Sequence, residues 1–482
     1  MLSAELRRRN LGRLQSEPLD VLIIGGGING AGVARDLALR ARHAGVPLEI
    51  GLVEKRHFAS GTSGKNSQLI HGGLRYLKYF EFSLVRESLR ERTVLLKLAP
   101  HLVEPLPFLI PIFSRFGRLF YGAGLWMYDL LAGTANIGRH RPLSRADVAG
   151  LEPGLSLEGL AGGAIFHDCR VHSARLVVEN IADAARHGAI VANYVKAETR
   201  ERTADGGWTI GMADQLTGER WRARARKIVD ACGPWGNEGS LRLVRGSHIV
   251  LPRLTSGDRA VAHFDEAGRI VFFIPWGAAN QLTLAGTTDV DHTAGPEDVR
   301  ISEDEARYLL GIARRLFPAA GSMTPISAYS SLRPLLPDEA GSPTAASREH
   351  RIWNSPDGVL HIAGGKYTTY RVMSEQAADA VTEEIAPALG SVHLTASTPF
   401  QAPLPRIEDL PPEEQVEQAV NREMAQRLAD VLFVSTYVGY ERTWNETALA
   451  PYAEAMAKSL GWTAERTAGE RRLVLNLVRM PY

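Results

Sequence analysis

The chain has 482 residues, 45% of them hydrophobic and 23% charged, with a formal net charge of +1. That length accommodates two or three domains with cores of their own, and the composition is ordinary for a globular enzyme. The near-neutral charge excludes a molecule-wide field for nucleic acid, so any anion site must be local.

The first 18 residues have no apolar run of signal-peptide length, and no segment is apolar for long enough to span a bilayer. Residues 20–24 read as a buried strand that runs into Gly25-x-Gly27-x-x-Gly30 and then a helix, and PLEIGLVEK reads as a second strand ending on Glu54. Each glycine has a mechanical reason. The first allows a sharp turn, the second lets backbone approach a pyrophosphate, and the third lets helix and strand pack closely. The helix N-terminus then faces the phosphates, and Glu54 is placed to accept hydrogen bonds from ribose hydroxyls. The motif calls for a dinucleotide and does not choose between NAD and FAD.

The next stretch, GTSGKNSQLIHGGLRYLKYFEFSLV (61–85), is rich in Ser, Thr, Asn and Gly able to present donors to a phosphate or ring. A helix is expected over roughly 83–98, ending before Pro100. LFYGAGLWMYDLLAG (119–133), with Arg115 and Arg118 upstream, could rest on a membrane surface, but a helix packed within its own domain is the favoured reading. The two cysteines, Cys169 and Cys232, suggest neither a disulfide scaffold nor a zinc site; they read as small buried residues of a reducing cytosol, and no metal site is assigned.

Helix, turn and strand follow over 174–200, then a hairpin, and short β runs over 243–290. Ser302 and Glu305 form an expected capping box. LHIAGGKYTTYRVMSEQA (360–377) repeats the strand, glycine turn and helix of the N-terminus. A helix start aimed at a flavin would stabilise negative charge on its reduced form, and a sheet built from both chain ends suits FAD enzymes with an inserted substrate domain. Residues 398–415, with five prolines, read as a linker before helical stretches at about 415–432 and 451–475.

GGGINGAG, GTSGKNSQLIHGGLRYL, SARLVVENI, GPW, GSHIV, IPW, GTTDV, SLRPL and GGKYTTYR follow one another in order. Over roughly 18–385 the chain closely resembles FAD-dependent glycerol-3-phosphate dehydrogenases and their oxidase relatives. The resemblance implies an α/β fold in three parts: a discontinuous Rossmann-like FAD-binding domain (18–100, 165–242 and 340–390), an inserted β-rich substrate domain (101–164 and 243–339), and a small C-terminal helical domain (400–482). It implies oxidation of sn-glycerol 3-phosphate to dihydroxyacetone phosphate, with hydride passing from C2 to FAD. The electrons would go to a membrane quinone, which places the protein in the cytoplasm, peripherally on the inner face of the membrane; a homodimer is left open. The alternatives are an oxidase using O₂, a related amino- or hydroxy-acid oxidoreductase, and, more distantly, a flavin-binding regulator without turnover.

The resemblance assigns Arg75, Arg333 and Lys366 to the substrate phosphate and neighbouring oxygens, with Tyr76 lining the pocket. Two histidines compete as base: His248 is favoured slightly over His71, with Arg333 polarising the C2 oxygen. A histidine near its ordinary pKa would suit that role. The FAD contacts implied are Gly25, Gly27, Gly30, Glu54, Thr62, Ser63, Val195 through its backbone, Gly233, Gly365 and Thr368. Arg371 is left as structural. Asn66-Ser67-Gln68 departs from the Ser-Ser/Thr-Lys usual in the family, Tyr329 stands where a tryptophan is common, and the arginine cluster usual near the C-terminus is absent.

Overall fold

A computed structural model of the chain describes residues 1–236, 241–265, 268–297, 299–337, 348–401 and 403–479. Two sheets organise it. The first is built on Leu19–Ile24, which pairs in parallel with Ile50–Glu54 on one side and Arg220–Asp230 on the other. Ile190–Asn193 extends it beyond Ile50–Glu54, and Leu360–Gly364 beyond Arg220–Asp230, both in parallel. The central strand is buried almost throughout, as expected of a sheet covered on its faces. The helix Ile28–Ala44 packs against both Ser173–Arg186 and Tyr370–Ile385, so three distant stretches of chain form one layer.

The second sheet is mainly antiparallel. Its middle strands are Arg242–Pro252, Leu282–Gly286, Ile270–Trp276 and Ala260–Phe264, and it continues through Val103–Ile112 to Gly162–Val171. Ser327–Leu335 pairs along Arg242–Pro252. The helix Glu303–Leu316 buries its apolar stripe against this sheet, and its start carries the Ser302–Glu305 capping box. Gly162–Val171 belongs to the second sheet, so the chain returns to the first sheet after Val171 and not at 165. The reason is its full-length pairing with Val103–Ile112. The expected boundary at 339/340 lies outside the described residues.

Two further expectations change. The helix of 415–432 ends at Arg422, because Met424 takes a left-handed φ of 64° and its N–H donates to Leu2 O at 2.7 Å. The helix of 451–475 is two, Glu446–Leu460 and Ala464–Val478, separated by Gly461 in a left-handed cap. The proline-rich stretch before them is docked: Leu404 and Ile407 are buried, and Pro405 O accepts from Arg175 Nη2 at 2.7 Å.

The segment with Arg115 and Arg118 forms the helix Arg115–Ala132. Its inner side buries Leu125 and Tyr128, but Phe116, Leu119, Phe120, Trp126 and Leu130 are exposed, Phe116 at 77%. The favoured reading of a helix packed within its domain is therefore half the picture, since an apolar stripe faces outward. Among the described residues no helix is long and apolar enough to cross a membrane.

Candidate active site

The carboxyl ends of the first sheet's parallel strands open onto a cleft of about 460 Å³ that extends along the second sheet. Size and position are those of a cofactor site at a strand-to-helix switch point. Gly25 has φ 114°, and a Cβ there would lie 2.5 Å from Ala231 O. A Cβ on Gly30 would lie 2.0 Å from Gly25 O. Gly27 is the N-cap of Ile28–Ala44, whose first turn has no acid, and Gly27, Ile28 and Asn29 line the cleft. Helix N-terminus, bare backbone and close packing together form a cradle that side chains would fill, which fits a pyrophosphate.

Glu54 closes the next strand and lines the cleft. Its carboxylate accepts from Gly26 N and Arg56 N, both at 2.8 Å, and burial pushes its pKa up against those bonds. Ser63 Oγ accepts from Ile28 N at 2.9 Å, and Thr62 Oγ1 donates to Leu332 O at 2.6 Å, so the 61–68 loop is tied to the start of Ile28–Ala44 and to the second sheet. Val195, Gly233 and Gly365 also line the cleft, and Gly365 turns with φ 81°. Thr368 sits behind the wall: its Oγ1 accepts from His71 N at 3.1 Å and donates to His71 O at 3.2 Å.

Further along the cleft the cations gather. Arg333 Nη1 meets Asp289 Oδ1 at 2.8 Å, and its Nη2 donates to Thr287 Oγ1 at 2.9 Å. Arg75 Nη1 meets Asp289 Oδ2 at 3.3 Å. Lys366 Nζ donates to Ser88 Oγ at 2.6 Å and stands 4.5 Å from the centre of the Tyr76 ring. Arg348 lines the same space, 3.9 Å from Asp289. Burial pushes the Tyr76 phenol up, yet Arg75, Lys366, Arg348 and Arg333 outweigh it and hold the pKa below its ordinary value. Arg371 lies apart, paired with Glu91 at 2.8 Å and Glu375 at 2.6 Å.

Both candidate histidines line the cleft. His248 Nε2 is 2.9 Å from Ser67 Oγ, and its ring stacks on Tyr329 at 5.0 Å; Nδ1 is buried without a partner. Burial, helped by Arg333, pulls His248 down to about 3, and burial with Lys366 and Arg75 does the same to His71. Neither stays near its ordinary value; both are neutral imidazoles at physiological pH, the form that can accept a proton.

Sequence reasoning missed Arg348, Asp289 and Ser67 as parts of this site. Arg348 lies in REHRIW, outside every quoted block. Asp289 lies inside GTTDV, but an acid among cations expected to hold a phosphate runs against simple charge logic. Ser67 was visible only as part of the altered 66–68 triplet.

The sequence profile of the FAD-dependent oxidoreductase family matches residues 20–371. The chain is 37% identical over 390 residues to glycerol-3-phosphate dehydrogenase 2 of Mycobacterium tuberculosis, covering 77% of this chain and 64% of that protein. It is 33% identical over 392 residues to the aerobic glycerol-3-phosphate dehydrogenase of Staphylococcus aureus, covering 77% and 68%. The chain thus spans less than two thirds of the mycobacterial relative's length. Its fold superposes on the Bacillus halodurans glycerol-3-phosphate dehydrogenase complexed with FAD with a TM-score of 0.77 at 25% identity, covering 99% of this chain and 98% of that one. The chain belongs to the FAD-dependent oxidoreductase family.

Proposed function

We propose that the protein oxidises sn-glycerol 3-phosphate to dihydroxyacetone phosphate. The observation that carries this reading is the cluster of Arg75, Arg333, Arg348 and Lys366 around Tyr76, with Asp289 as the shared countercharge of the three arginines. Four cations at one end of a dinucleotide cleft match a small phosphate dianion better than a carboxylate, for which one arginine fork suffices. The names of the relatives point the same way.

FAD, when bound, supplies the two-electron acceptor. The chain's own residues do the rest. Gly25, Gly27 and the start of Ile28–Ala44 hold the pyrophosphate, and Glu54 the ribose. The arginine forks and Lys366 fix the substrate's phosphate and orient C2. Arg333 also polarises the C2 oxygen. His248 takes the C2 hydroxyl proton through Ser67, whose hydroxyl gives its own proton to Nε2 as it accepts the substrate's. His71 is the second candidate, and its own surroundings keep it neutral too.

The acceptor we infer is a membrane quinone, with the protein peripheral on the cytoplasmic face. The outward stripe of Arg115–Ala132, with Arg115 and Arg118 beside it, supports that attachment. The alternative is O₂. Anaerobic reduction of the bound flavin by sn-glycerol 3-phosphate tests the substrate, and reoxidation rates with a quinone and with O₂ decide the acceptor.

A further inference from the structure

The triplet Asn66-Ser67-Gln68 and the C-terminal segment both depart from the family pattern, and they meet. Gln68 is buried with a left-handed φ of 55°, and Tyr437 is buried with φ 60°. Left-handed backbone is uncommon outside glycine, and holding it in two bulkier residues calls for over-determined surroundings. Those surroundings are one hydrogen-bond network. Tyr437 Oη donates to Gly64 O at 2.9 Å and accepts from Ala174 N at 3.1 Å and Gln68 Nε2 at 3.2 Å. Gln68 Oε1 accepts from Ser173 N at 2.9 Å, and Gln68 N donates to Asn66 Oδ1 at 2.8 Å. Asn66 O accepts from Tyr329 Oη at 2.7 Å.

Ser67 sits in the middle of this frame, with its hydroxyl on His248 Nε2. A second column reaches the same imidazole. Tyr440 packs on Tyr329 at 4.8 Å, and Tyr329 stacks on His248 at 5.0 Å. The segment that supplies Tyr437 and Tyr440 follows a π-helical turn, Val431–Ser435, an element rare enough to suggest a functional demand. Tyr437 itself is stacked on His172 at 4.5 Å, which fixes its ring independently of its hydroxyl.

We propose that Tyr437 and Gln68 are positioning residues: the C-terminal segment fixes the 64–68 turn so that Ser67 holds the Nε2 edge of His248 toward the cleft. The consequence for catalysis rests on the reading of His248 as the base. A neutral glutamine suits the place, because its amide gives to Tyr437 and takes from Ser173 at once. Removing the Tyr437 hydroxyl leaves a buried Ala174 N–H short of a partner and loosens Gly64, without touching the cleft.

The experiment is Tyr437→Phe in the FAD-loaded protein, with two readouts. Backbone amide exchange in peptides spanning 60–70 becomes about tenfold faster, while peptides from Glu303–Leu316 keep the native rate. Anaerobic flavin reduction slows about tenfold in the native background with KM little changed, and slows no further in a His248→Gln background. Unchanged exchange over 60–70 overturns the proposal, and so does an equal slowing in both backgrounds, which would mark a general structural defect. If sn-glycerol 3-phosphate does not reduce the native flavin, the proposed activity falls, and the exchange readout still decides the tie between Tyr437 and the turn. Gln68→Ala, cutting the same network from the loop side, serves where Tyr437→Phe fails to fold.

Discussion

Arg333 Nη1 stands 2.8 Å from Asp289 Oδ1, so a cation of the proposed substrate site is anchored by an acid inside the cluster. Asp289 also meets Arg75 and is itself almost fully buried. The pair holds the guanidinium fork in a set orientation and leaves the cluster with excess positive charge. Replacing Arg333 with Ala removes a charge-assisted ligand and should lower kcat/KM by about a hundredfold while the flavin stays bound. Steady-state kinetics beside the visible absorbance of the purified variant check both halves.

Asp289→Asn tests the other side of the same pair. With one negative charge gone, inorganic phosphate should inhibit at lower concentration than in the native protein. Heat inactivation should also come sooner, since two partly buried arginines lose their partner. Weaker inhibition by phosphate would mean that Asp289 mainly orients the forks.

The glycine turn separates folding from cofactor binding. A Cβ on Gly27 meets only Ser63 Oγ, at 3.2 Å, a side-chain atom that can rotate away. Gly27→Ala should keep native circular dichroism and lose most of its yellow colour, because the new methyl stands where backbone must approach the pyrophosphate. Gly30→Ala forces a methyl against Gly25 O, a backbone atom, and should compromise folding itself.

His71 and His248 are both held at about 3 when folded, while an unfolded histidine titrates near about 6.5. The unfolded chain therefore binds more protons between those values. Stability is fully present above the unfolded pKa and is lost as pH falls toward 3. Each histidine contributes a slope of about 1.4 kcal/mol per pH unit in that window. Urea unfolding of the native protein and of His248→Gln from pH 7 downward checks this; the variant should show the shallower decline.

The helix Arg115–Ala132 makes a prediction away from the cleft. Phe116→Glu with Phe120→Glu should reduce co-sedimentation with anionic vesicles by about tenfold or more and leave flavin reduction unchanged. Equal sedimentation of variant and native protein would remove this face from the account.

The glycine turn, Glu54 and the blocks carrying Arg75, Arg333 and Lys366 were legible because each is a local pattern with a local mechanical cause. The structure brings those cations into one cleft from the 3₁₀ helix Leu74–Tyr79, a strand of the second sheet and the turn after Leu360–Gly364. Asp289 and Arg348 were not legible, since their place depends on strand pairing across distant segments. The histidines were found, but their lowered pKa follows from burial and neighbouring cations that spacing does not reveal. The broken C-terminal helices were missed for a similar reason. The turn at Met424 is fixed by Leu2, at the far end of the chain.

The most direct measurement is anaerobic mixing of the purified yellow protein with sn-glycerol 3-phosphate, followed through the flavin's visible absorbance. Rapid bleaching, with dihydroxyacetone phosphate formed in equal amount and no bleaching by glycerol or an amino acid, is the predicted result. A flavin that stays oxidised with sn-glycerol 3-phosphate, or that an amino acid reduces instead, would contradict the assignment.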